Sequence, residues 1–210
     1  MFREGLLLTA MLLLVIPASL SQQGLYGPPI PENTALLRVV NADDSQISHS
    51  VDIGYLSIKN IPFKEITPYR PISQGIYIAS TASLQSEVIL QPGAYYTIVL
   101  DHQGITSFRD EAHTDPARTQ LYLYNLSSIP EISLTTTDGE IMVIEGVKKQ
   151  SSSMVLVNPV PVQFQVVWNN DRTLSLPPIR LERGESFSIF VIGSTFEPAV
   201  VVQQAEVRMD

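Results

Sequence analysis

The chain is a succession of short apolar runs that stop at polar turns. Val162, Phe164, Val166 and Trp168 alternate with Gln163 and Gln165, the period of a strand with one buried face. Comparable runs occupy residues 36–41, 51–58, 76–78, 88–90 and 95–100, then 121–125, 132–135, 141–144, 154–157, 162–168, 174–176 and 187–192. Asp138-Gly139 between two of these runs predicts a hairpin turn. Asn169-Asn170-Asp171 and Ala42-Asp43-Asp44-Ser45 predict further turns. No window beyond the N-terminal apolar run carries a helical period. Short strands at roughly 8 to 12 residue spacing point to β-sandwich architecture.

Part of the pattern occurs twice. Leu90-Gln91-Pro92-Gly93-Ala94-Tyr95-Tyr96-Thr97-Ile98-Val99-Leu100 reappears as Leu181-Glu182-Arg183-Gly184-Glu185-Ser186-Phe187-Ser188-Ile189-Phe190-Val191. Leu36-Leu37-Arg38-Val39-Val40-Asn41 is likewise matched by Gln120-Leu121-Tyr122-Leu123-Tyr124-Asn125. A repeat of this length predicts two copies of one small unit. The expected class is therefore all-β, with two tandem small β-sandwich domains of immunoglobulin-like or Greek-key type. The first is placed at residues 35–108 and the second at 119–210. Between them, residues 109–118 are charged and carry no apolar side chain larger than Ala, Pro116 apart, so they are read as a linker. Gly93 and Gly184, each alone before a strand, are read as turn glycines with positive φ rather than phosphate loops.

The N-terminus is read separately. Arg3, the apolar run 6–16, Pro17 and the small residues Ser19-Leu20-Ser21 form the pattern of a cleaved secretory signal over residues 1–21. The run is about half the length a membrane span requires. Residues 22–34 follow as a flexible tether rich in Gly and Pro. Within it, Leu25 and Tyr26 have no core to claim them, and they are the candidate partner-binding residues.

Composition narrows the chemistry. The chain has no Cys, so an exported fold must rely on core burial and strand pairing. Thiolate chemistry and Cys-based metal sites are excluded. A net charge of -8 argues against nucleic acid and against electrostatic capture of a polyanion. The three His, at 49, 102 and 113, have no ligand spacing, and His102 is read as an exposed turn residue. Asp43-Asp44 lacks the spacing of a calcium loop. Asp110-Glu111-Ala112-His113 spells a helicase string without the Gly-rich phosphate loop it would need. Asp110 and His113 could belong to a Ser–His–Asp triad, but no nucleophile elbow accompanies them. Tyr96, Phe164, Trp168 and Phe187 are expected in cores. No catalytic residue, metal or cofactor is expected.

Several fragments together resemble the AlgF family: Gly24-Leu25-Tyr26-Gly27-Pro28, Arg38-Val39-Val40-Asn41, Pro92-Gly93 with Tyr95-Tyr96-Thr97, Leu123 with Asn125-Leu126-Ser127, and residues 181–185. The resemblance implies a periplasmic, non-catalytic adaptor of alginate O-acetylation, needed for transfer of acetyl groups to mannuronate. It implies as partners the periplasmic acetyltransferase subunits and the membrane acyltransferase of the pathway, with any contact to alginate indirect. The alternatives are a carbohydrate-binding module that touches the polysaccharide itself, and an acetylesterase or acetyltransferase.

Overall fold

Sixteen strands and no helix make up the described part of the chain. The computed structural model describes residues 31–169 and 171–209. The expected signal peptide and most of the expected tether, with Leu25 and Tyr26, lie outside the described residues.

Eight strands form each domain. The first contains β1 (Thr34–Asn41), β2 (Ser48–Ile53), β3 (Leu56–Pro62), β4 (Arg70–Ser73), β5 (Gly75–Ser80), β6 (Gln85–Leu90), β7 (Tyr95–Asp101) and β8 (Gly104–Asp110). The second contains β9 (Thr119–Ser127), β10 (Glu131–Thr136), β11 (Met142–Lys148), β12 (Ser151–Val157), β13 (Phe164–Trp168), β14 (Arg172–Ser175), β15 (Ser186–Gly193) and β16 (Pro198–Gln204). Each domain is two four-stranded sheets. Sheets β4-β1-β7-β8 and β3-β2-β5-β6 form the first, and β12-β9-β15-β16 and β11-β10-β13-β14 the second. The two orders are the same once eight is added to each strand number.

The repeated fragments account for this identity. They are the two strands at the centre of one sheet in each domain, and they pair in parallel. Leu36 faces Tyr95 and Asn41 faces Leu100, while Gln120 faces Ser186 and Asn125 faces Val191. Gly93 and Gly184 take φ of 70° and 77°, and their N–H groups donate to the carbonyls of Thr34 and Arg118 at 2.8 and 2.9 Å. The turn glycines thus start the parallel pairing in both copies.

The recurring Asn closes it. Asn41 Nδ2 donates to the Ile61 carbonyl at 2.9 Å, and Asn125 Nδ2 donates to the carbonyls of Val147 and Ile129 at 3.1 and 2.9 Å. Ile61 and Val147 hold the same place in β3 and β11, each next to a residue with positive φ, Asn60 at 55° and Gly146 at 66°. Both hairpins slip register there, as a bulge requires. A buried amide therefore ties the end of a central strand to the bulge in the opposite sheet, once per domain.

Some expectations are corrected. Residues 51–58 are not one strand: Gly54, at φ 58°, turns the chain between β2 and β3. Strands β4, β8 and β16 were not foreseen, since β4 is short and contains Pro71, and β8 and β16 mix polar with apolar residues. Arg109 and Asp110, expected in the linker, close β8, and the connection between domains is residues 111–118. It is not loose. Tyr122 Oη donates to the Glu111 carbonyl at 3.1 Å and Gln120 Nε2 donates to the same oxygen at 3.1 Å.

The two sandwiches do not stand apart on that connection. Central strands β1, β7, β9 and β15 are buried along almost their whole length. One face of each strand lines its own domain core, as with Leu37, Val39 and Ile98 in the first and Leu121, Leu123 and Ile189 in the second. The other face meets the partner domain. Val40, Ala42, Ile66 and Val99 pack against Tyr122, Tyr124, Leu126, Phe190 and Ile192. Fully burying a side chain of this size contributes about 1.5–3 kcal/mol, and Val40, Val99, Tyr124, Phe190 and Ile192 are all inaccessible to solvent. The result is four stacked sheets with a third core at the middle. The chain end joins in: Tyr69 N–H donates to the Glu206 carbonyl and Arg208 N–H to the Tyr69 carbonyl, both at 2.8 Å.

Candidate functional site

Three kinds of place could carry function: polar clusters in the interior, exposed aromatics, and apolar openings on the surface. The largest polar cluster lies in the middle core. Arg38 projects from β1 between the domains and is 1% exposed. Its Nε donates to Thr97 Oγ1 at 2.8 Å, and its Nη2 donates to Ser188 Oγ at 2.8 Å and to Tyr124 Oη at 3.2 Å. Asp110, at the end of β8, lies 3.8 Å from Nη2. Asp110 accepts from Thr97 Oγ1 at 2.6 Å, from Tyr69 Oη at 2.8 Å and from Tyr124 Oη. The guanidinium also sits over the rings of Tyr69 and Phe190, 4.6 and 5.1 Å from their centroids, in cation–π contact.

Burial governs the titration here. It alone would lower the Arg38 pKa, but Tyr69, Tyr124 and Asp110 beside it more than compensate and raise it. Burial, with Asp110 adding to it, pushes the phenols of Tyr69 and Tyr124 well above the ordinary tyrosine range. Both phenols stay neutral and act as donors. The cluster is a buried network joining two domains: Arg38, Thr97, Asp110, Tyr124 and Ser188 are all shielded from solvent among the described residues, and Arg38 Nη1 is buried without a hydrogen-bond partner. Sequence reading missed it. Arg38 looked like one polar residue in an apolar strand, and Asp110 looked like linker. The available signal was a charged residue inside a run whose neighbours on both sides are apolar, which on a strand buried on both faces must be paired.

Ser, Asp and His come together at two places among the described residues. In a pocket of about 140 Å³, Asp101 and His102 lie near Ser127, Ser128 and Ser194, but the His102 ring approaches only the Gln103 amide, at 3.4 Å. The second place is where the β1–β2 connection meets the start of β2. His49 Nε2 lies 2.7 Å from Asp43 Oδ2, and Ser45 Oγ donates to Asp43 Oδ1 at 2.6 Å. The order is wrong for hydrolysis. A triad places His between Ser and Asp, so that the imidazole takes the hydroxyl proton. Here the carboxylate stands in the middle, and Ser45 N–H also donates to it at 2.9 Å. Burial pushes the Asp43 pKa up, but the Ser45 bonds and His49 outweigh it and hold the group below its usual value. The arrangement is a turn fastened by a carboxylate.

The other nominated residues stay apart. His113 is half-buried in the connection, with Nε2 shielded and unpartnered, and shares no hydrogen bond with Asp110. His102 is exposed in the β7–β8 turn, as expected. Tyr96, Phe164, Trp168 and Phe187 are in the domain cores, also as expected. Their rings are largely covered, with Phe164 at the lining of the second-domain groove. No group of three or more His, Asp or Glu lies close enough to hold a metal ion among the described residues.

What remains is apolar surface. In the second domain a groove of about 420 Å³ opens between the two sheets, lined by Ile141, Val143, Leu156, Val160, Val162 and Phe164. Among the described residues, the matching place in the first domain is occupied by a side chain. Ala79 faces Ile53 as Phe164 faces Thr136, and two residues earlier stand Tyr77 and Val162. The Tyr77 ring lies over Gly54, so close that a Cβ on that glycine would be 2.6 Å from it, and its hydroxyl donates to the Ser73 carbonyl at 3.0 Å. A valine cannot fill the same space. The first domain instead exposes Ile76, Ile78 and Ile89 on its outer sheet.

The sequence model of a family described as alginate O-acetyl transferase AlgF matches residues 9–188. The alginate biosynthesis protein AlgF of Pseudomonas syringae pv. tomato is 27% identical over 194 residues, 92% of this chain and 86% of that protein. The protein of the same name from Pseudomonas aeruginosa is 28% identical over 194 residues, 92% of this chain and 88% of that protein. Among solved structures, the C-terminal domain of AlgF from P. aeruginosa is 30% identical, covering 42% of this chain and 98% of that one, with a TM-score of 0.39.

Proposed function

The chain belongs to the AlgF family of alginate biosynthesis proteins, and from that premise we propose that it is a non-catalytic periplasmic adaptor in alginate O-acetylation. Its role is to hold other proteins of the acetylation machinery together while acetyl groups pass to mannuronate residues. The partners are the periplasmic acetyltransferase subunits and the membrane acyltransferase.

The observation that carries this reading is the wiring of Ser45, Asp43 and His49. With the carboxylate between hydroxyl and imidazole, nothing withdraws the Ser45 proton, and an acyl group has no route onto Ser45; in the pocket near His102 no serine is hydrogen-bonded to the imidazole. The buried ion pair of Arg38 and Asp110 is taken up in joining the domains. Apolar openings and a stiff four-sheet body suit protein docking. The net charge of -8 opposes direct capture of an anionic polymer. The carbohydrate-module alternative loses its main support with Trp168 buried.

Two measurements test the proposal. Purified protein with a chromogenic acetyl ester should show no turnover above buffer; turnover that disappears in both Ser45→Ala and His49→Ala would overturn the non-catalytic reading. Pull-down from a periplasmic extract should recover acetyltransferase subunits. Recovery that is unchanged when the groove is filled by Val162→Tyr would remove the groove from the docking surface, and recovery of chaperones alone would defeat the adaptor role.

A further inference from the structure

The outer face of β5 and β6 is apolar where an exposed sheet should be polar. Ile76, Ile78 and Ile89 are 67%, 53% and 56% exposed. Ile76 and Ile78 alternate along β5, and Ile89 stands directly across from Ile76 on β6, so the three form one patch. Tyr55 is at the same corner, its hydroxyl accepting from Ser73 N–H at 3.0 Å. The patch has no counterpart in the second domain. Counting back from Phe164, which matches Ala79, the equivalents of Ile76 and Ile78 are Pro161 and Gln163. β5 is also poorly covered along its edge. It pairs with β2 only through Ala79 and Ser80, which leaves 75–78 without a strand on that side.

The chain upstream is delivered to this place. Pro31, Glu32, Asn33 and Thr34 make a tight turn, with Thr34 N–H donating to the Pro31 carbonyl at 3.2 Å and Asn33 at φ 64°. Asn33 is bound to Gln74, the residue just before β5: Gln74 N–H donates to its carbonyl at 2.7 Å, and Gln74 Nε2 to its Oδ1 at 3.3 Å. The nine residues preceding Pro31, 22–30, carry no charge and include Leu25, Tyr26 and Ile30. Nine residues reach ~30 Å when extended, and the six of β5 cover ~20 Å. The segment is thus long enough to lie along the patch, and it has matching chemistry. Pro28 and Pro29 cannot donate to a full ladder, but proline is tolerated at a sheet edge.

We propose that residues 22–30 seat on the outer face of β5 and β6 of the same molecule, with Leu25 and Tyr26 covering Ile76, Ile78 and Ile89. The two residues the sequence nominates for partner binding then have a built seat in this chain. A partner that takes either the segment or the patch must separate them. The seat does not depend on the adaptor reading, since it requires no other protein.

The absence of Cys makes a clean test possible. Tyr26→Cys is combined with Ile78→Cys in the chain from Gln22 onward. As a control it is combined with Gln91→Cys, an exposed site beside the Gly93 turn that binds Thr34. Both second sites are within reach of the segment, and only one is on the patch. Under mild oxidation the 26–78 pair should close into an intramolecular disulfide in monomers at least tenfold faster than the 26–91 pair. Equal rates would overturn the proposal, showing a segment with no seat. Disulfide-linked dimers would overturn it in favour of a second copy as occupant. Thiols that stay free in both pairs would overturn it in favour of a patch left open for another protein.

Discussion

Nη2 of Arg38 donates to Oγ of Ser188 at 2.8 Å, across 150 residues of sequence and from one sandwich to the other. The bond sits in a network that also holds Asp110, Thr97, Tyr69 and Tyr124. It marks the two domains as one stiff body, and stability should depend on it accordingly.

Removal of one member of a buried charged pair leaves the other uncompensated, at a cost of about 3–5 kcal/mol. Arg38→Met should therefore lose stability on that scale in urea denaturation. The double variant Arg38→Met with Asp110→Leu should recover part of the loss, because no orphan carboxylate remains. Calorimetry should show the single variant unfolding over a broader range, its domains no longer melting together. A loss under 1 kcal/mol would mean that water reaches the cluster.

The two repeated asparagines should behave alike but not equally. Asn41→Ala deprives the Ile61 carbonyl of its donor and the Asp43 N–H of its acceptor. Asn125→Ala deprives two carbonyls, of Ile129 and Val147, and also the Ser127 hydroxyl. Unmet buried polar groups cost about 1–3 kcal/mol each, so chemical denaturation should rank Asn125→Ala as the more damaging. The reverse order would show that the clamp matters less than its surroundings.

Alkaline pH should unfold the protein through its interior phenols. Burial holds the pKa of Tyr69 and Tyr124 above the ordinary value of 10.0. A raised folded pKa stabilises fully below the unfolded value, and that contribution is lost as pH rises past it towards the folded one. Stability should decline above about pH 10, and the ultraviolet titration of these phenols should coincide with loss of structure. Tyr124→Phe should weaken that pH dependence while lowering stability near neutrality, where the bonds to Arg38 and Asp110 are missed.

Two glycines with similar backbone angles should respond differently to alanine. Gly139, at φ 74°, has nothing within 4 Å of a new Cβ, whereas Gly54, at φ 58°, has the Tyr77 ring at 2.6 Å. Gly139→Ala should cost only the left-handed strain of about 1–2 kcal/mol. Gly54→Ala should cost more, and the steric part should vanish when Tyr77→Ala is added. Thermal denaturation of the four variants measures the difference.

The strands and their duplication were legible because they are local. Alternation in residues 162–168 reflects a pleat that repeats every two residues, and Asp138-Gly139 reflects a turn that needs positive φ. The recurrence of the Asn-terminated run and the Gly turn marked two copies before any pairing was known. The parallel pairing of β1 with β7 and of β9 with β15 was not legible, although its register is the same in both copies. The strand errors were local in origin: at 51–58 a glycine turn was hidden inside a run of apolar residues, and β4, β8 and β16 lacked a clean alternation.

What the sequence by itself determined was an all-strand chain of two related halves, because periodicity and turn chemistry are written residue by residue. What only the tertiary structure decided was that the halves pack into one body, and that Arg38, Asp110 and Ser188 belong to a single cluster. A strand buried on both faces shows its second face only as an unbroken apolar run, and nothing in such a run names the surface it will meet. The same holds for His49, Asp43 and Ser45, whose types are those of a hydrolase and whose order in space, with the carboxylate in the middle, is that of a turn.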